Sequence, residues 1–237
     1  MTTVAAPEDL DVYLTARSYL YRLFQNLFGA EPTPEGIAFY STETTAACLE
    51  VVSPDMNEWT VFCDALERAA TYDPDGLDDL KTAYTLLFVG PGAPKANPWE
   101  SLHIGAERRL FTEVTLSVKR AFKAQGLAPD LGAGVADDGL ALELDFLATL
   151  ADRARKAQVD WTEETGDATH ADSLSAQAIA PLEASLSFLR DHLNRWIEEF
   201  QQDVAKADSS SFYATAAAAL ASFCKLDEKT LADILSD

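Results

Sequence analysis

Apolar residues recur at three- and four-residue steps along almost the whole chain, and no β-branched run alternates with polar residues. That periodicity predicts amphipathic helices and leaves nothing from which to build a sheet. Leu10, Tyr13, Leu14, Leu20, Tyr21, Phe24, Leu27 and Phe28 form the first stripe, closed by Gly29 and the Glu31-Pro32-Thr33-Pro34 turn. A second helix is expected over 35–52. Ser53-Pro54 and Asp73-Pro74 each pair a capping residue with Pro at the first helical position, and so announce two more. Gly90 to Pro98 reads GPGAPKANP, whose prolines and glycines exclude helix interior. Further helices are expected over 101–125, 138–158, 173–206, 209–224 and 227–235. Pro181 is expected to divide the helix over 173–206, and 159–172 to form a polar connection. No asparagine-glycine or aspartate-glycine hairpin signal lies between strand-like runs, and no fixed repeat is present. The expected fold is all-α: one multi-helix bundle of about nine to eleven helices spanning residues 1–237. Its hinge, if the halves exchange between copies, is expected at residues 126–137.

Charge narrows the partners. The chain has 237 residues with Lys+Arg 18 and Asp+Glu 39, a net charge of −21. Such acidity disfavours nucleic acid and anionic membrane surfaces and favours a cationic peptide or basic patch. Apolar residues still make up 48%, enough for a core. Cys48, Cys63 and Cys224 are odd in number and far apart, which fits no disulfide framework or zinc motif. The opening MTTVAAPEDLDVYL carries no basic region followed by an apolar one, and no apolar run is long enough to span a bilayer. A reduced, cytosolic protein is expected.

No enzyme signature stands out. GPGAPK lacks the spacing of a P-loop, and GAGVADDG lacks the strand and third glycine of a dinucleotide site. His103, His170 and His192 have no second ligand at helical spacing, so no metal site is expected. The segment DDGLALELDFLATLA is more informative. Leu140, Leu142, Leu144, Phe146, Leu147 and Leu150 surround most of that helix, yet Glu143 and Asp145 sit within it. A carboxylate there must find a donor or cation, or take up a proton. One reading pairs Glu143 with Arg17, Arg22 or Arg108; the other has acids lining a groove for an external cation. Asp138 suits such a groove, and suits equally an N-cap. Trp99 beside Glu100 offers a flat apolar face next to a charge, which suits arginine. The alternative is that Trp99 plugs the core while Ser101 caps a helix. His192 and Trp196 share a face of the amphipathic helix that follows.

Four blocks in order resemble the TorD/DmsD/NarJ-type chaperones, and most closely the TorD/DmsD branch. They are RSYLYRLFQNLF; YTLLFVGPGAPKANPWESLH; DDGLALELDFLATLA; and HLNRWIEEFQQDV with FYATAAAALASF. The sequence departs from that family's Glu-Pro-x-Asp-His motif. It has Val135-Ala136-Asp137-Asp138-Gly139, so only Asp138 matches. The resemblance implies a TorD-like helical fold and a cytosolic chaperone rather than an enzyme. Such a chaperone binds the twin-arginine leader, or the apoenzyme, of a molybdopterin oxidoreductase and delays export until its cofactor is in place. The resemblance implies no resident cofactor, weak guanine-nucleotide binding in some members, and monomers or dimers that exchange halves.

A receptor for two guanidinium groups and an apolar stretch needs acids beside aromatics. The expected leader site therefore combines Glu100, Asp138, Glu143 and Asp145 with Tyr84, Leu87, Phe88, Pro98, Trp99 and Ser101, although the helical spacing of Tyr84, Leu87 and Phe88 more often marks core than a ligand groove. Arg17 and Phe24 are expected as another wall, with His192 and Trp196 nearby. Two competing readings are a small nucleotide-binding or hydrolysing enzyme and a general helical adaptor.

Overall fold

A computed structural model describes residues 10–54, 56–105, 108–128, 135–165, 174–207 and 212–236. His170, residues 129–134 of the expected hinge and residues 166–172 of the expected connection lie outside them. So do the first nine residues. Among the described residues the fold is helical, with no strand beyond one isolated bridge between Trp99 and Gly139. The helices are α1 (Leu10–Gly29), α2 (Pro34–Tyr40), α3 (Glu43–Val52), α4 (Asn57–Ala70), α5 (Pro74–Tyr84), α6 (Glu100–His103) and α7 (Glu113–Ala124). They continue with α8 (Leu140–Thr165), α9 (Ala176–Asp191), α10 (Ile197–Ala207) and α11 (Phe212–Ile234). No helix among the described residues is long and apolar enough to cross a membrane.

One contiguous core draws on nearly every element, and α1 and α8 pack side by side along most of their length. Gly29 closes α1 where it meets α8. A Cβ there would lie 2.8 Å from the Ala141 Cβ, closer than packed carbons approach. Gly29→Ala is expected to cost about 1–3 kcal/mol through overpacking, read as a lower urea midpoint with unchanged slope.

Several boundaries differ from those the periodicity suggests, each for a local reason. The expected helix over 35–52 is two, because Ser41-Thr42 turns the chain and the Thr45 hydroxyl donates to the Tyr40 carbonyl (2.6 Å). The expected helix over 101–125 is two, α6 of one turn and α7 from Glu113; Gly105 (φ +97°) leaves helical space just after α6. Pro181 does not divide α9. It lies in the second turn, so the one carbonyl its ring displaces, that of Gln177, belongs to the exposed first turn. The division comes instead at His192 (φ −128°, ψ −91°), followed by a single 3₁₀ turn over Leu193–Arg195. The expected break before Asp227 is absent: its carboxylate points inward rather than capping a new helix, so α11 runs on. The helix expected to stop near residue 158 continues to Thr165.

After α5 the chain widens into a π-helical turn, Thr85–Val89, ended by Gly90 at φ +68°. A Cβ on Gly90 would lie 2.7 Å from the Gly92 carbonyl oxygen. The glycine is therefore what lets the loop fold back toward Trp99.

Candidate functional site

The Trp99–Gly139 bridge joins the loop before α6 to the loop before α8. Glu100 N donates to Asp138 O (3.0 Å) and Leu140 N to Pro98 O (2.9 Å). Beneath it lie three buried carboxylates. Asp138 Oδ2 accepts from the Ser101 amide (2.8 Å), so Asp138 caps α6 across the bridge rather than its own helix. Its Oδ1 has no partner. Glu100 meets His192 Nδ1 at 2.9 Å. Glu143 Oε2 accepts from Trp196 Nε1 at 3.3 Å, and its Oε1 has no donor. Pro98 and Trp99 are half-buried above, with the Trp99 indole 3.6 Å from where a Gly139 side chain would begin.

No Lys or Arg among the described residues pairs with any of these three acids. The expectation that Glu143 pairs with Arg17, Arg22 or Arg108 is therefore corrected. Those cations are held by Asp227, by Asp145 and Asp152, and by Glu199 respectively. Burial, then the charges of Glu100 and Asp138, push the Glu143 carboxyl well above its ordinary pKa. A proton on Glu143 relieves the repulsion among the three acids.

This shift fixes a pH dependence. With its pKa raised on folding, Glu143 adds no penalty below about pH 4.5. As pH rises from there, the unfolded chain releases the proton while the native one keeps it, so stability falls. Glu143→Gln stays neutral, accepts from Trp196 and donates to Glu100. It is expected to match wild type at pH 4.5 and to gain stability progressively toward pH 8. Chemical denaturation across that range measures it; a constant difference would place the effect outside titration.

The other expected site residues fall elsewhere. Arg17, fully buried, donates through Nε to both oxygens of Asp227 (2.8 Å each), which also accepts from Tyr13 and Tyr21 (2.6 Å each). Burial opposes the Arg17 charge, but Asp227 together with Tyr21 and Tyr13 more than offsets it and raises its pKa. Phe24 stacks on Phe62 and Phe223. Tyr84 and Phe88 pack with Phe28, Phe200 and Tyr213, and Leu87 is buried beside them. An open trough walled by Phe24, Leu87 and Phe88 is therefore not present. Burying three such side chains contributes about 5–9 kcal/mol, a large share of a stability of about 5–15, so they serve as core. Asp145 emerges on the opposite side of α8 from Glu143, half-exposed and paired with Arg22.

Two apolar crevices flank α7. One, about 140 Å³, is lined by Phe122, Leu127, Leu142, Asp145 and Phe146. The other, about 180 Å³, is lined by Ala121, Phe146, Ala184, Phe188, Asp191 and His192. His192 thus touches both the acid cluster and the second crevice.

The family model described as "Nitrate reductase delta subunit" matches residues 52–202. "Chaperone protein TorD" of Vibrio atlanticus is 24% identical over 95% of this chain and 99% of its own. The protein of that name from Photobacterium profundum is 24% identical over 89% and 92%, and that of Vibrio cholerae 23% over 97% and 98%.

Proposed function

Because the chain belongs to the nitrate reductase delta subunit family and is of the TorD-like type, we propose that it is a maturation chaperone for a molybdopterin oxidoreductase. In this reading it acts in the cytoplasm, holding the client's twin-arginine leader or apoenzyme until the cofactor is inserted. One observation carries the reading: three buried acids, Glu100, Asp138 and Glu143, face one another with no Lys or Arg partner, and two of their oxygens lack a donor. A guanidinium supplies in one planar group both the charge and the donors missing there.

Entry requires the Trp99–Gly139 bridge to part, which breaks two backbone hydrogen bonds. Trp99 then lies across the guanidinium face, and the charge draws the proton off Glu143. His192 leads from the acids to the crevice against Phe146 and Phe188, and the apolar stretch of the leader lies alongside α7. The net charge of −21 adds long-range attraction. Calorimetric titration of a twin-arginine leader peptide tests the reading. Binding that weakens as salt rises supports it; no heat from several leaders at high micromolar peptide contradicts it.

A further inference from the structure

His103, at the end of α6, is buried against α10. Its ring stacks on Trp196 (centroids 5.0 Å apart, 26° between planes) and stands edge-on to Phe200. Nε2 lies 2.7 Å from the Asn97 carbonyl oxygen. A carbonyl only accepts, so Nε2 carries the hydrogen and Nδ1 presents a bare lone pair. That Nδ1 is buried and has no hydrogen-bond partner. It faces Glu199 Oε1 at 3.8 Å, and a carboxylate oxygen of Asp203, one turn further along α10, completes a trio within 4.8 Å of one another.

We propose that His103, Glu199 and Asp203 bind a first-row divalent transition-metal ion such as Zn²⁺. Three lone-pair donors, one of them a buried imidazole nitrogen, lie within 4.8 Å of one another. A backbone carbonyl fixes the histidine tautomer, the arrangement by which proteins orient a ligating imidazole. Ligands about 2.1 Å from a metal lie roughly 3.0–3.5 Å from each other, so atoms as far apart as 4.8 Å must close by about 1.3–1.8 Å. Both carboxylates are partly exposed on one helix face and can swing that far. Arg108 (2.7 Å from Glu199) and Lys206 (3.2 Å from Asp203) hold them meanwhile. Both are surface pairs of about 0–1 kcal/mol, readily displaced by a divalent charge. The imidazole selects Zn²⁺ or its neighbours over Mg²⁺ and Ca²⁺, and three protein ligands leave a position for water or a donor from a partner. The inference stands apart from the leader-binding reading, since none of the three acids beneath the bridge takes part.

The test is calorimetric titration of ZnCl₂ into the full-length protein freed of metal by chelator, with Co²⁺ absorption as a second readout. One ion per chain is expected, with Mg²⁺ failing to compete. Glu199→Gln and Asp203→Asn, both at the surface, are expected to weaken binding at least roughly tenfold with unchanged helical circular dichroism. His103→Gln should do the same, and the two surface variants decide the matter if it fails to fold. No Zn²⁺ binding by wild type, or equal binding by both surface variants, overturns the proposal; the latter would locate the ion elsewhere, at the cysteines or His170.

Discussion

Asp227→Ala is expected to lower the unfolding free energy by about 3–5 kcal/mol, the cost of leaving a buried charge without its partner. Three donors converge on this carboxylate: Arg17 Nε and the Tyr13 and Tyr21 hydroxyls. All four side chains are sealed from solvent, so water cannot replace what the substitution removes. The loss is about a fifth or more of a typical domain's stability, and urea denaturation resolves it easily. Adding Arg17→Met to Asp227→Ala should recover part of the loss, because the orphaned guanidinium goes while the two hydroxyls stay unsatisfied. The same pair separates two roles for Arg17. As the hub joining α1 to α11, its variants lose stability and, where folded, keep their affinity for a leader. As a wall of the binding site, they would lose affinity without a matching loss of stability.

The second large effect is on binding. Asp138→Asn keeps an oxygen for the Ser101 amide and removes one charge from the cluster; Trp99→Ala removes the face on which a guanidinium would rest. Each is expected to weaken a twin-arginine leader at least roughly tenfold, about 1.4 kcal/mol, with helical circular dichroism unchanged. Asp145→Asn, on the far side of α8, should leave the affinity as it is.

The contrast between Asp138 and Arg17 marks how much was legible in the sequence. Helical periodicity read the fold class correctly because each stripe lies within one element. Glu143 announced itself as a carboxylate inside an apolar helix, and the structure brings it against Glu100, Asp138 and Trp196. Arg17, Phe24, Leu87 and Phe88 were grouped with them only because their blocks occur together. Which side of α1 or of the π-helical turn faces which neighbour depends on tertiary packing, and that gives Arg17 to Asp227 and Phe88 to Phe200. Helix ends failed where one side chain decided: an inward Asp227 keeps α11 whole, Gly105 ends α6, and His192 divides the helix at a point no proline marks. His103 showed no ligand spacing because its carboxylate neighbours come from α10, near the other end of the chain.

The central claim is that the acids beneath the Trp99–Gly139 bridge form a receptor for arginine. The most direct measurement compares three peptides by calorimetry: a twin-arginine leader, the same leader with both arginines changed to lysine, and one with both changed to glutamine. Wild type should prefer arginine to lysine and lysine to glutamine, and Asp138→Asn with Glu143→Gln should flatten the series. Equal affinity for all three peptides, or a preference for arginine that survives both substitutions, would contradict the account.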